Sequence, residues 1–442
     1  MPGSLRREAI TPHLRSNILQ LAGTATIGLV AGLAAVAFHQ AMILLANRFV
    51  EAPSKWPVTV FVLFILISMG ASAWVTGWLM KRFAPDAPGS GIPQVKVAYH
   101  RGQLDFSWHL VWVKFLGGAI SIGTGASLGR EGPTIHIGAA IASKIAKSFG
   151  ESSVTRANAV CAGSAAGLAA AFGSPLAGVT LVLEEIAGGK NEENFAGRSL
   201  LAAALASTVV FTMSGGAASL PIEANLPLSW RALWMAPVVA LIAGFAGLAF
   251  QYVTLAIRRR WKLSPVPGTW KLVLGTMIGG AFSLLAFALT GRLGAFGLGE
   301  SDLLEALNGG LVWSVASALL VAKLFATASS YGAGGCGGIF APLLFFGAMA
   351  GVLVTGLTPK TFGLTSQDQT LLALTGMTAC LGAVVRAPIT SVLIVMEMTR
   401  QIYALPALMI AAVVSVYMNR LCFRGNFYDE TLAQDGIHLD RD

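Results

Sequence analysis

The sequence predicts an all-α integral membrane protein built from two related halves. Hydrophobic residues occupy 55% of its 442 positions and charged residues only 12%, about half of the roughly 25% that soluble domains carry. A large soluble protein with buried helices would need a charged surface that this chain lacks. Spanning a bilayer takes about 20 apolar residues, and four segments without Asp, Glu, Lys or Arg are longer than that: Ser16–Asn47, Trp56–Met80, Ala232–Ile257 and Leu324–Pro359.

The net charge of +9 comes largely from basic residues near the ends of apolar segments, such as Lys81 and Arg258. Short basic flanks tend to stay in the cytoplasm, so we expect residues 1–15 and the tail 422–442 to be cytoplasmic. This distribution indicates membrane topology and does not indicate a nucleic-acid partner. The four cysteines are isolated and form no CxxC pair. We therefore expect neither a metal site nor a structural disulfide.

An internal repeat relates the two halves of the chain. Val113–Ala140 aligns with Ala322–Met349 at a constant offset of 209 residues. The alignment matches Lys114 with Lys323, and it matches several glycines and a proline in the same order. A glycine-rich chain could match glycines by chance, but an ordered lysine and proline are harder to match.

A second pair of segments continues this repeat. Phe172–Glu185 aligns with Val385–Met398 at an offset of 213 residues. The repeat predicts a first membrane half over 16–222 and a second over 229–421. The apolar segments inside this second pair are candidate subunit-interface helices, although lipid-facing helices would look the same.

Three short loops interrupt the apolar segments with glycine and proline. Internally repeated transporters place their ion sites near the bilayer midplane, where such interruptions break helices. Irregular backbone is tolerated there only where it is buried or lines a cavity. A helix that starts at such a loop attracts anions to its free N–H groups, and the loops lack the oxygen cage of a calcium or magnesium site. The loops predict a central anion site: "GSGIP" (Gly89–Pro93), "GREGP" (Gly129–Pro133) and "GGIFAP" (Gly337–Pro342).

In sequence, order and separation, these three loops resemble the signature loops of the CLC family of chloride channels and proton/chloride antiporters. The resemblance covers nearly the whole chain and is to the prokaryotic type, without C-terminal regulatory domains. It implies the CLC-type fold of two inverted-topology repeats whose broken helices meet at a central anion site. It also implies a homodimer in the lipid bilayer of a cell inner or plasma membrane. Chloride and protons would be its substrates, and no cofactor is expected.

The resemblance also assigns roles to individual residues. Chloride would be bound by the hydroxyl of Ser90, the backbone N–H groups of Ile339 and Phe340, and the phenol of Tyr403. Glu131 would be the external gate, whose carboxylate occupies an anion site when ionised and swings away when protonated. An ionisable residue inside the membrane suggests function by itself. The remaining selectivity-filter residues would be Gly89, Gly91, Ile92, Pro93, Gly129, Arg130, Gly132, Pro133, Gly338, Ala341 and Pro342.

Each of these residues also has a purely structural interpretation. Ser90 could cap a helix, and Tyr403 could anchor the chain at the membrane interface. Pairing of Glu131 with the preceding arginine is disfavoured because adjacent helical residues do not face each other. Lys114 and Lys323 could snorkel at the ends of spans or add positive potential near the anion path.

The pair Glu184–Glu185 bears on the mechanism. Such a pair usually means two solvated carboxylates at a helix end. By resemblance, Glu185 is the internal proton-transfer glutamate of the antiporters, which many plain channels of the family lack. Its presence favours exchange over a passive chloride channel. Gln94 and Lys96 stand where many bacterial antiporters carry acidic residues, which leaves the inner proton route open.

Two other function classes are remote. An intramembrane enzyme would need a nucleophile with a base or an HExxH motif, but the chain has no HExxH and its six histidines are scattered. A sensor with a degenerate transport core should have damaged loops, and all three loops are intact.

Overall fold

The computed structural model describes residues 4–189, 192–222, 226 and 229–439. Within these residues the only strand-like feature is one isolated β-bridge, and nine helical stretches are long and apolar enough to cross a membrane. The α-helices are α1 Ser4–Ala46, α2 Val58–Phe83, α3 Ile92–Arg101, α4 Trp108–Gly123, α5 Glu131–Ser148, α6 Ser153–Phe172, α7 Pro175–Leu181, α8 Glu192–Met213, α9 Trp230–Leu263, α10 Gly268–Thr290, α11 Glu300–Leu307, α12 Trp313–Gly332, α13 Phe340–Leu357, α14 Ser366–Val385, α15 Pro388–Thr399, α16 Leu405–Cys422 and α17 Phe427–Gln434.

The helices of the two halves pack in the same order. Helix α5 packs on α6 as α13 packs on α14, and α1 packs on α6 and α8 as α9 packs on α14 and α16. Helix α2 packs on α4 as α10 packs on α12. The sequence repeat is therefore a structural repeat, as expected for the CLC-type fold. Helix α17 follows the second half and has no counterpart in the first.

Matched glycines bring the central helices of each half into backbone contact. A Cβ atom on Gly138 of α5 would strike the carbonyl of Gly163 on α6. In the second half, a Cβ on Gly347 of α13 would strike the carbonyl of Gly376 on α14. Small residues let membrane helices approach this closely, since van der Waals contact rather than hydrophobic burial holds them together in lipid.

Two glutamates at equivalent repeat positions cap helices across the halves. Glu184 lies in the π-helical turn that follows α7, and its carboxylate accepts the backbone N–H groups of Ile389 (3.0 Å) and Thr390 (2.8 Å) at the start of α15. Glu397, on α15, accepts two N–H groups at the start of α7 at 2.9 and 3.1 Å. Each carboxylate satisfies free N–H groups and complements the positive end of a helix.

The predicted boundaries of the two halves remain predictions. Helix α8 ends at Met213 and α9 begins at Trp230, and the predicted boundary loop contains residues 223–225 and 227–228, which lie outside the described residues. Residues 1–3 and 440–442 of the predicted terminal segments also lie outside them. The segment after α16 is not a separate tail, because α17 folds back and buries Phe427 and Tyr428 completely.

Replacing Glu397 by alanine should lower the stability of the protein. The substitution removes the acceptor of two helix N-terminal N–H groups, and a lost cap costs about 1–2 kcal/mol. The measurement is the melting temperature of the purified protein in detergent, with Glu51→Ala, a change at an exposed carboxylate, as the control. Equal melting temperatures for Glu397→Ala and the control would contradict the capping role.

Candidate functional site

The starts of α5 and α13 meet where the two broken loops cross. The N–H of Gly129 donates to the carbonyl of Gly338 at 2.8 Å, and the N–H of Gly338 donates to the carbonyl of Gly129 at 2.7 Å. This reciprocal pair is the isolated antiparallel bridge of the fold. Helices α5 and α13 begin two residues after these glycines, at Glu131 and Phe340. The crossing therefore brings two helix N-termini, one from each half, to the same point.

The carboxylate of Glu131 occupies this point and is fully buried. Its Oε1 accepts the backbone N–H of Phe340 at 2.6 Å. A Cβ atom on Gly129 or on Gly338 would collide with the carboxylate. The two glycines thus leave a cradle that fits an anion, at a helix end that attracts one.

The loop around Ser90 is held open by backbone geometry and by a buried lysine. Gly89 and Gly91 have φ values of 78° and 98°, which other residues rarely adopt. The ammonium of Lys114 donates to the carbonyls of Ala87 (2.7 Å) and Gly89 (2.6 Å). The hydroxyl of Ser90 is buried and has no hydrogen-bond partner in the structure, so Ser90 is not a helix cap.

Lys323 repeats this anchoring in the second half. Its ammonium donates to the carbonyls of Gly294 (2.8 Å) and Gly297 (2.9 Å). Lys114 and Lys323 are both fully buried, so the interpretation that they snorkel at span ends is wrong. Each lysine instead satisfies carbonyls of the loop that precedes a short helix, α3 or α11.

Ser90 and the crossing are linked through the first turn of α5. A Cβ atom on Gly132 would meet the hydroxyl and backbone of Ser90, and one on Gly338 would meet the backbone nitrogen of Gly132. Ile339 and Phe340 are fully buried beside these residues. The structure therefore brings together the three loops that the sequence analysis selected.

Tyr403 does not join this cluster, and its placement by sequence is wrong. It lies in the short turn Ile402–Ala404, and 63% of its surface is exposed. The tyrosine at the site is Tyr428 of α17. It is fully buried, its ring centroid lies 6.4 Å from that of Phe340, and its hydroxyl adjoins Ser90. Like the Ser90 hydroxyl, it has no partner in hydrogen-bond geometry.

A signal for Tyr428 is present in the sequence. Asn426 accepts the N–H of Asp429 and so caps α17. An asparagine three residues before an aspartate, followed by apolar residues, is typical of a helix start. The prediction of a cytoplasmic tail over 422–442 overlooks this helix start.

Glu185 is also not a solvated carboxylate. Only 2% of its side chain is exposed, and it forms an ion pair with Lys96 of α3 at 2.8 Å. Its second oxygen accepts the side-chain amide of Asn426. Lys96 forms a further ion pair, also at 2.8 Å, with Asp429 of α17. The interpretation of a solvated Glu184–Glu185 pair is therefore wrong for both members.

Two cavities approach the cluster. One of about 640 Å³ reaches Ser90 and is lined in part by Gln94 and Tyr331. The other, of about 230 Å³, reaches Arg130.

Arg130 pairs with Glu300 at 3.1 Å and contacts a histidine of α1, so it does not neutralise Glu131 directly. Among the described residues, no group of His, Cys, Asp and Glu could hold a metal ion.

Replacing Lys114 or Lys323 by methionine should destabilise the protein. Either change leaves two buried carbonyls without their donor, which costs about 1–3 kcal/mol. The melting temperature in detergent measures the effect. Lys147→Met is the control, because this exposed lysine lies 3.4 Å from an exposed aspartate, and such surface pairs contribute little. A Lys114→Met protein as stable as the control would refute the anchoring role.

Comparisons with known proteins agree with this geometry. Residues 72–420 match the family model described as voltage gated chloride channel. The chain is 32% identical over 417 residues to the H(+)/Cl(-) exchange transporter ClcA of Vibrio cholerae, which covers 92% of this chain and 87% of the relative. It is 31% identical to the ClcA of Klebsiella pneumoniae, over 85% of this chain and 80% of the relative.

A solved structure is similar as well. The structure of a slow cyanobacterial Cl⁻/H⁺ antiporter superimposes with a TM-score of 0.83 at 26% identity, covering 95% of this chain and 97% of that one. The family match, the curated relatives and the shared fold give one conclusion: this chain belongs to the CLC family, the family of voltage gated chloride channels.

Proposed function

We propose that this protein exchanges chloride for protons across a membrane. One observation carries the proposal: a protonatable carboxylate, that of Glu131, lies in an anion cradle and accepts the N–H of Phe340. Curated relatives that match over most of the chain are named as H(+)/Cl(-) exchange transporters, which supports the same function.

Chloride would bind next to this cradle through neutral donors. The candidate donors are the hydroxyls of Ser90 and Tyr428 and the backbone N–H groups of Ile339 and Phe340. Both hydroxyls are buried, adjoin each other and have no partner in hydrogen-bond geometry among the described residues, which leaves them able to donate to an anion. Uncharged donors and helix N-termini attract chloride without the strong ion pairing that would slow its release.

Coupling would follow from competition for one site. An ionised Glu131 carboxylate fills the cradle and excludes chloride from the N–H of Phe340. A proton on Glu131 removes its negative charge, and with it most of its attraction to the two helix N-termini. The neutral side chain then leaves the cradle to chloride, so that chloride and the proton-free carboxylate alternate. Glu185 would pass protons between Glu131 and the inner solution.

We also propose that the protein is a homodimer in a cell inner or plasma membrane with both termini in the cytoplasm. Helices α7 and α15 pack against each other and cap each other through Glu184 and Glu397. They expose Leu176 and Ile389, which suits an interface between subunits. The lipid bilayer is the other expected contact of this surface.

A passive chloride channel of the same family is the alternative. The burial of Glu185 favours exchange, because a carboxylate inside the protein can pass a proton between Glu131 and the inner solution. An intramembrane enzyme is no longer an alternative, since the chain belongs to a family of ion transport proteins.

The wild-type protein in proteoliposomes should drive protons uphill. Vesicles loaded with chloride, with an outward chloride gradient and no pH gradient, should take up protons until a protonophore is added. Glu131→Gln should keep chloride flux but lose proton movement, because its amide resembles the protonated carboxyl and cannot titrate. External pH and chloride electrodes record both fluxes at once.

The wild-type trace distinguishes the two functions. Chloride efflux without proton uptake would make the protein a channel and overturn exchange. Proton uptake that persists in Glu131→Gln would leave exchange intact but remove Glu131 as the gate.

Tyr428→Phe should weaken chloride binding, whereas Tyr403→Phe should not. Loss of one hydrogen bond to a charged ligand costs about 1.5–3 kcal/mol, which corresponds to a roughly tenfold or larger rise in Kd. Isothermal titration of chloride into the detergent-solubilised protein measures both variants. Equal affinities for Tyr428→Phe and the wild type would exclude the phenol from the site.

A further inference from the structure

A buried lysine joins Glu185 to a carboxylate of the C-terminal helix. The ammonium of Lys96 donates to Oε1 of Glu185 and to Oδ1 of Asp429, both at 2.8 Å. The three residues lie far apart in the chain, on α3, on the turn after α7 and on α17. Both bonds are donated by the ammonium, so a proton can pass from Asp429 to Glu185 only through the nitrogen of Lys96.

The exposure of these three groups gives the path a direction. The side chains of Lys96 and Glu185 are 2% exposed, whereas that of Asp429 is 23% exposed. Asp429 is therefore the most accessible of the three side chains. The side-chain amide of Asn426 donates to the other oxygen of Glu185, which leaves Oε1 as the oxygen that faces the lysine.

We propose that Asp429 and Lys96 form the inner proton inlet of this protein, with Glu185 as the receiving group. The proposal rests on the proposed exchange function and names a route for its protons. Lys96 stands where many bacterial antiporters carry an acidic residue. In the relay the lysine takes the place of that acid.

The relay moves one proton and conserves charge. Asp429 takes a proton from the inner solution. An N–H bond of the Lys96 ammonium then breaks as its proton forms an O–H bond with Oε1 of Glu185. The amine left on Lys96 takes the proton of Asp429 through its lone pair. The lysine ends as an ammonium, Asp429 as a carboxylate and Glu185 as a carboxylic acid.

The relay passes through a neutral amine on Lys96. Lysine shifts its protonation readily when it is buried, whereas arginine stays protonated throughout. The Lys96→Arg variant therefore distinguishes a proton relay from an ion pair that only holds the residues in place.

The competing interpretation is that Lys96 only holds Glu185 and α17 in place by its charge. Under that interpretation Lys96→Arg, which keeps the charge and can bond both carboxylates, should preserve coupling. Under the relay, Lys96→Arg should keep chloride flux and lower proton flux about 100-fold, the order of magnitude of a lost proton-transfer group. Asp429→Asn should lower proton flux in the same way while it can still accept a bond from Lys96.

The experiment is paired chloride and proton flux in proteoliposomes of the full-length wild type and variants. Asp435→Asn is the matched control, because this acid follows α17 but pairs with Arg258 at 2.8 Å and not with Lys96. It should keep the wild-type ratio of proton to chloride flux. Glu185→Gln is the reference for lost proton transfer.

The outcomes are distinct. A reduced proton flux with persistent chloride flux in both Lys96→Arg and Asp429→Asn supports the relay. Wild-type ratios in both variants overturn it and leave exchange standing. If Lys96→Arg fails to fold, as lost chloride flux would show, Asp429→Asn alone decides in the same way. A wild-type protein that moves chloride without protons overturns exchange itself, and the relay with it.

Discussion

The pair of hydrogen bonds between Gly129 and Gly338 is the constraint on which the rest of this protein depends. In a bilayer, backbone groups without partners are too costly to leave exposed. Two helices can start in the middle of the protein only because their preceding loops satisfy each other at the crossing. Both positions must be glycine, since any Cβ there would enter the space of the Glu131 carboxylate. The bond that joins the halves therefore also shapes the anion cradle.

The repeat separates a symmetric scaffold from an asymmetric site. Lysine anchors, glutamate caps and glycine contacts occur twice, once in each half. The side chains with a proposed role in transport, by contrast, occur in one half only. At the repeat offset of 209 residues, Glu131 corresponds to Phe340. In the loops that the two lysines hold, Ser90 lies between Gly89 and Gly91 where Leu298 lies between Gly297 and Gly299. Glu131, the proposed gate, and Phe340, whose backbone N–H donates to the Glu131 carboxylate, thus occupy the same position in the two halves. Because one half has a glutamate at this position and the other has a phenylalanine, the Glu131 carboxylate can accept the backbone N–H of Phe340.

Features that depend on local sequence patterns were predicted correctly, whereas features that depend on contacts between distant residues were missed. The three loops were found because close backbone approach and broken helices demand glycine and proline at defined positions. The membrane class followed from composition alone. Tyr428 was missed because α17 lies outside the repeat, whereas the family resemblance assigned the phenol to Tyr403. The burial of Lys96, Lys114 and Lys323 could not be read from the sequence, because a lysine near a span end looks the same whether it reaches water or a buried carbonyl.

The return of α17 into the core has a consequence for biosynthesis. Tyr428 and Asn426 follow both membrane halves in the chain, so they are synthesised after them. Until then the contacts of Asn426 with Glu185 and of Asp429 with Lys96 cannot form, and Tyr428 cannot reach Ser90. The packing of α17 against the first half is therefore completed only after both halves have been synthesised.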